Sequence, residues 1–294
     1  MSTIDAHVHL YPPEINRDPA GWAAAHGEPH WATMCVRRRA NGTPVQGFPS
    51  VEQLLHAMDA DDVSRAVLLG WYWNQPESCA AQNRFYARCV RAHPDRLSAC
   101  AAIHPATAPE EAMMAVRIAA EDGFVGLGEL SPHSQNSAPD DPVLADILQL
   151  AGELGLPVNF HVTDPEGRDY PGRVATPLQD FVNLARANPR TTLILAHWGG
   201  QLALVEPAAL TLSNVYYDTA ASPLLYDAGI WARFLAKVSF ERVLFGSDFP
   251  LDLFPSSGKG PGFSGLVNQA KAADLGAAGI RAVLHDNAVR LFRL

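Results

Sequence analysis

The sequence predicts an α/β protein folded as a (β/α)8 barrel, and three observations carry that prediction. Short apolar runs recur along all 294 residues, longer helical patterns separate them, and polar side chains with chemical capacity stand where several runs end. The runs cover 3–8, 64–70, 97–103, 124–130, 157–162, 192–197, 215–219 and 242–247. Each has strand length, and eight strands alternating with helices match the count of a closed parallel barrel.

The first run, TIDAHVHL, ends in the pair His7-Val-His9. Alternate residues of a strand face one side, so both rings aim at one point. Residues 11–49 follow, far too long for an ordinary strand-to-helix connection, and contain Pro12, Pro13, Trp22, Trp31, Arg37, Arg38, Arg39 and Gly47. They are expected to overhang the catalytic rim as a lid or substrate-recognition loop. Ser50-Val-Glu-Gln53 is a capping box that opens the next helix.

The second run continues into Trp71, Tyr72, Trp73 and Asn74, where Trp71 and Trp73 are expected to wall a planar substrate. His104 follows the third run and His133 follows the fourth, both placed near the rim as substrate contacts. Thr107-Ala-Pro-Glu110 and Thr176-Pro-Leu-Gln179 are two further capping boxes, and Asp141 before Pro142 is an N-cap. Gly123 and Gly155 close helices in the left-handed conformation before the next strand begins. Glu129 stands one residue before the end of the fourth run, His161 one before the end of the fifth, His197 at the end of the sixth and Asp248 one past the end of the eighth. Arg168 and Arg173 after His161, with Arg37, Arg38 and Arg39, are candidates for a carboxylate clamp, Arg168 foremost. Residues 251–263, rich in Pro, Gly and Ser, also overhang the rim. His26, His30, His56, His93 and His285 lie away from strand ends and receive no role.

Strand ends presenting three imidazole stations and a carboxylate describe a metal cup on one rim of the barrel. Neutral imidazole with carboxylate suits zinc or another divalent first-row ion.

Composition sets the remaining bounds. Hydrophobic content of 48% against 18% charged residues supplies one sizeable core without a break, so residues 1–294 are expected to form a single domain. A net charge of −9 argues against nucleic acid and anionic membrane surfaces as partners. Cys35, Cys79, Cys89 and Cys100 have no C-x-x-C spacing, and no run reaches 18 apolar residues. A reduced, cytoplasmic protein acting on a small molecule is expected; a homo-oligomer is compatible with the sequence.

The segments IDAHVHL, FHV at His161, LAHWGG at His197, LFGSDFP at Asp248 and the terminal HDNAVRLF together resemble the amidohydrolase superfamily. Within it the chain is similar to the amidohydrolase-related group, which includes lactone hydrolases and non-oxidative decarboxylases. The resemblance covers essentially the whole chain. It implies that His7, His9, His161 and Asp248 hold a divalent metal, zinc by expectation, with manganese also suited. A water on that metal would have its pKa brought toward 7, with Asp248 taking its proton as general base. His197 would position the water or polarise substrate. Family members with two metals carry a bridging group at the end of the fourth strand, the place of Glu129. One metal is the expectation, and two, with His197 as a further ligand, is the alternative. The implied activity is hydrolysis of a small carboxylated lactone, amide or ester, with decarboxylation of an unsaturated or aromatic acid as the alternative. A non-catalytic metal- or ligand-binding barrel is the reading of another class.

Overall fold

The aliphatic and β-branched runs form eight parallel strands in a computed structural model that describes residues 2–258 and 260–294. The strands are β1 (Thr3–Val8), β2 (Val63–Leu69), β3 (Leu97–Ala101), β4 (Gly126–Leu130), β5 (Val158–Phe160), β6 (Leu193–Leu195), β7 (Val215–Asp218) and β8 (Val243–Leu244). Sheet order follows chain order, as a right-handed β/α progression requires. Closure comes from the parallel bridge between Val8 and Phe249 and from Ala6 N–H donating to Phe245 O at 2.8 Å. The protein is therefore a (β/α)8 barrel.

Several strands stop short of the apolar runs that encode them. The β1–β2 and β4–β5 ladders shift register between Asp5 and Val8 and between Leu127 and Leu130, where the rim residues leave regular pairing. Apolar side chains between sheet and helices, such as Leu127, Leu148, Phe181 and Phe234, form one continuous core.

Two of the expected helix starts form as read. Ser50 Oγ accepts from Gln53 N while Gln53 Oε1 accepts from Ser50 N, a complete capping box, and Asp141 accepts from Val143 N at 2.8 Å. Gly155 and Gly123 take φ of 68° and 81° just past their helices. Thr107 and Thr176 do not cap. Proline displaces both: helix Pro109–Glu121 starts after Ala108, and Pro177 itself occupies the cap position of helix Leu178–Ala187. The Thr176 hydroxyl instead accepts from Thr163 N at 2.7 Å and fastens the loop after β5.

The long insertion after β1 is built into the core. It contains short helices Pro13–Arg17, Pro19–His26 and Pro29–Met34, and Trp31 is fully buried among Tyr11, Trp71 and Trp73. Glu28 accepts from Asn74 N at 2.7 Å and Gln75 N at 3.0 Å, tying the insertion to the loop after β2. Gln46 bridges Leu251, and Gly47 N donates to Pro250 O, so the insertion also meets the connection after β8. Of residues 251–263, Lys259 lies outside the described residues.

All four cysteines are buried and unpaired. Among the described residues no helix is long and apolar enough to cross a membrane.

Candidate active site

Strand β1 delivers His7 and His9, both buried, to the rim. His7 Nδ1 donates to Asp218 Oδ2 and His9 Nδ1 donates to Leu69 O, each at 2.9 Å. These partners assign both tautomers and leave both Nε2 atoms facing the cup, 3.1 Å apart. Glu129 Oε2 lies 3.7 Å from His9 Nε2, and its Oε1 lies 3.0 Å from His161 Nδ1 and 3.5 Å from His197 Nε2. Asp248 completes the ring, with Oδ1 3.5 Å from His9 Nε2 and Oδ2 3.9 Å from His197 Nδ1. Two donor triads therefore overlap at Glu129: His7, His9, Glu129 and Glu129, His161, His197. Imidazole lone pairs converging on carboxylate oxygens are the donor set that suits a divalent first-row cation.

His197 reaches this cup through an unusual backbone. Residues His197 to Gln201 have φ of 59°, 58°, 58°, 55° and 65°, one continuous left-handed turn. Asp218 Oδ1 accepts from His197 N at 3.0 Å, Trp198 Nε1 donates to Ser222 Oγ at 2.9 Å, and Gln201 Nε2 donates to Asp164 Oδ2 at 2.6 Å. Gly199 is required there: a Cβ would lie 2.8 Å from the Tyr217 ring.

The cup's charges are strongly perturbed. Burial disfavours a charged His7, but Asp218, then Asp248 and Glu129, outweigh it and lift its pKa to about 10. Burial and the neighbouring His7 charge push His9 down to about 3, so the pair holds its proton on His7. Glu129 resists burial through His161, His197 and His7 and stays well below the ordinary carboxylate range. Burial raises Asp248 to about 6 despite the opposing pull of His7 and His197. Asp5, beneath the rim, is raised by burial to about 7.

Above the cup opens a cavity of about 290 Å³. Its walls are aromatic: Tyr11, Trp71, Tyr72 and Tyr170. Trp71 and Tyr72 stack with ring centres 4.2 Å apart. Arg37, Arg39, Arg168 and Arg173 also line it, and the Arg37 guanidinium sits 4.3 Å over the Tyr170 ring. Arg39 is engaged with the Asp252 and Pro44 carbonyls, Arg173 with those of Asp164 and Pro165.

The structure thus brings His9, Glu129, His161, His197 and Asp248 to the cavity floor, with His7 buried directly behind, and sets Trp71 and Arg168 along the walls. Four sequence expectations need correction. Trp73 turns away into the aromatic core, its Nε1 donating to Gln82 Oε1 at 2.7 Å. His104 faces a separate cavity of about 100 Å³ and pairs with Asn74 O, because β3 has ended at Ala101 before the chain reaches it. His133 pairs with Asp180 Oδ2 at 2.9 Å beside the following helix. Arg38 binds Gly42 O in the insertion, outside the cavity. Conversely, the sequence reading passed over Asp218, Tyr11 and Tyr170. Asp218 ends the seventh run in VYYD, the same signal that marked Asp248; Tyr170, in an irregular loop, carries none.

A family model described as amidohydrolase matches residues 4–294. No curated protein sequence matches the chain. Among solved structures, 2,6-dihydroxybenzoate decarboxylase in complex with 2,6-dihydroxybenzoate is similar over 100% of both chains, at 19% identity and a TM-score of 0.68. The 5-carboxyvanillate decarboxylase of Novosphingobium aromaticivorans, solved with manganese and 4-hydroxy-3-methoxy-5-nitrobenzoic acid, shares 16% identity with a TM-score of 0.73, over 100% of this chain and 96% of that one. A protein described as amidohydrolase II matches over 100% of both chains at 21% identity and a TM-score of 0.71. At these identities the likeness is one of fold.

Proposed function

The chain belongs to the amidohydrolase family, and from that premise we propose that it is a metal-dependent, non-oxidative decarboxylase of an aromatic or unsaturated carboxylic acid. The observation that carries this reading is the cavity itself: stacked aromatic walls, arginines along its sides and an imidazole–carboxylate cluster at its floor. A planar anion fits such a slot. The fold likeness to decarboxylases of hydroxylated benzoates supports the same choice. Hydrolysis of a lactone, amide or ester, the expectation from sequence, gives way to its alternative on these grounds.

His7, His9 and His161, with Asp248 and Glu129 beside them, are the residues that would hold the metal. A divalent cation there supplies positive charge that fixes and orients the substrate's anionic oxygens. The remaining chemistry falls to the chain. Trp71 and Tyr72 hold the ring plane, and Arg37 and Arg168 attract the acid into the cavity. Asp248, its pKa raised to about 6 by burial, is a carboxylic acid within reach of neutral pH. Its Oδ1 faces His9 and its Oδ2 faces His197, so one oxygen can serve the cluster while the other carries a proton. That proton passes to the ring carbon bearing the carboxylate. The carbon–carbon bond then breaks, its electron pair returns to the ring, carbon dioxide leaves and water reprotonates Asp248. Glu129, ionised throughout, keeps His161 and His197 oriented.

The test is to supply manganese- or zinc-treated protein with a panel of hydroxybenzoates and a panel of lactones. Carbon dioxide release with loss of ultraviolet absorbance, and one deuteron at the vacated carbon when the solvent is heavy water, are the expected results. Acid release from a lactone, with no carbon dioxide from any aromatic or unsaturated acid, would overturn the proposal.

A further inference from the structure

Asp218 lies fully buried at the end of β7, behind the cup rather than in it. Its Oδ2 accepts from His7 Nδ1 at 2.9 Å and from Asn159 Nδ2 at 3.0 Å. Its Oδ1 accepts from the backbone N–H of His197 and of Ala220, each at 3.0 Å. Among the described residues four donors and no acceptor bond to it, which is the environment of an ionised carboxylate with both oxygens committed. We propose that Asp218 is the positioning residue of this centre: it holds His7 in the Nδ1–H form, anchors the left-handed turn that carries His197, and so aims two imidazoles from separate strand ends of the rim into one cup. The inference rests on the reading of that cup as a cation site.

Neighbouring groups cannot substitute. Asp5, the other carboxylate under the rim, takes the backbone N–H of His7 and of Ser247 and, among the described residues, makes no hydrogen bond to an imidazole. The tautomer of His9 is set by a backbone carbonyl, that of Leu69, which no side-chain exchange removes. Of the two first-strand histidines, only His7 depends on a side chain for its orientation.

An exchange of Asp218 for Asn shows what that dependence means. The amide keeps the shape, and its oxygen still accepts from His197 N and Ala220 N. Its NH2 then faces two donors, His7 Nδ1–H and Asn159 NH2. In wild type a cation displaces the proton on His7 Nε2 and leaves the neutral Nδ1–H ring that Asp218 accepts from; in the variant the conflict with His7 disappears only if the neutral ring keeps its proton on Nε2 and not on Nδ1. That proton points at His9 Nε2, 3.1 Å away, whose lone pair is free to accept because the His9 Nδ1–H is committed to Leu69 O. In the variant a cation cannot displace that proton without forcing it back onto Nδ1 against the amide NH2, so the His7–His9 hydrogen bond keeps the lone pairs of both residues occupied. A substitution that removes no ligand thereby silences two.

The experiment titrates manganese into metal-free wild type and Asp218→Asn by calorimetry, and records ring-nitrogen NMR spectra of the histidines in both. Outer-shell exchanges of this kind weaken metal affinity about 10–100-fold, and that loss is expected here together with loss of the His7 Nδ1 proton while the Nε2 proton is kept. Affinity of the variant within about twofold of wild type, well short of that range, overturns the inference. So does an unprotonated His7 Nδ1 in metal-free wild type, a result that decides the matter even if the variant does not fold. Wild type that takes up no cation overturns the metal reading instead, and the His7 spectrum still reports separately on Asp218.

Discussion

Asp248 Oδ1 stands 3.5 Å from His9 Nε2, so a carboxylate from beyond the last strand closes the ring of donors that the first strand begins. The exchange Asp248→Asn keeps the side chain's shape and removes its acid. Turnover of the substrate acid should fall about 10²–10⁴-fold, the usual worth of a positioned acid or base, with circular dichroism unchanged. A variant retaining more than about a tenth of wild-type turnover, above the upper limit left by that range, would remove Asp248 from the mechanism. Metal content measured alongside separates lost chemistry from lost cation.

Cation binding should depend on pH in a defined direction. Burial opposes a charged His7, but Asp218 and then Asp248 and Glu129 raise its pKa from 6.5 to about 10. A raised pKa stabilises the metal-free fold fully below 6.5 and loses that contribution as pH rises through about 10. A cation needs the same nitrogen without its proton. Manganese uptake at pH 7 should therefore release about one proton per ion, and the increase in melting temperature caused by manganese should grow from pH 6.5 to about 9. Calorimetry in two buffers of different ionisation enthalpy counts the protons, and paired melts follow the shift. An increase that shrinks with pH would contradict the assignment of the proton to His7.

Arg37 and Arg168 should govern substrate affinity more than rate. Neither makes an ion pair with another described residue, and both face the cavity. A charge-assisted hydrogen bond to a carboxylate is worth about 1.5–3 kcal/mol, and the lower end suits this partly exposed rim. Arg37→Gln and Arg168→Gln should each raise KM for an acid substrate by about tenfold and leave kcat within a small factor. Steady-state kinetics checks this. An unchanged KM in both variants would show that the acid is held elsewhere.

Glu28 should act on the site without touching it. Its two oxygens take the N–H groups of Asn74 and Gln75, two and three residues after Tyr72 of the stacked pair Trp71 and Tyr72. In Glu28→Gln one of those donors faces an NH2, and a buried donor left without its partner costs about 1–3 kcal/mol. The melting temperature should drop and KM should rise as the aromatic wall loosens. A variant with native melting and native KM would mean that the insertion is held by its apolar contacts alone.

How much of this was readable in the sequence depends on how local the cause is. The barrel and the cup residues were visible because each lies where an apolar run meets a polar residue, a pattern written within seven or eight positions. Trp73 misled because its spacing from Trp71 implies a shared face, yet β2 ends at Leu69 and alternation ends with it. Thr107 and Thr176 misled because proline at the helix start moved the cap by a residue. Asp218 was readable in VYYD, but nothing local to it names His7 as its partner. Tyr170 was not readable at all. Its loop is set by contacts with the distant insertion, His30 Nε2 donating to Gly172 O at 2.9 Å and Arg37 lying over the Tyr170 ring.

The left-handed turn from His197 to Gln201 bears on the order in which the molecule matures. Every non-glycine residue in that conformation costs about 1–2 kcal/mol in isolation, so the segment cannot serve as a seed of folding. Its hydrogen-bonding anchors, Asp218, Ser222 and Asp164, come from the ends of neighbouring strands and their loops. His197 can therefore enter the cup only after β5, β6 and β7 lie side by side. During refolding, helix dichroism should recover first and manganese uptake last. Occupancy then acts as a clock for the final stage of assembly, and a chain arrested short of closure would carry helices, bury much of its core and still leave the ion in solution.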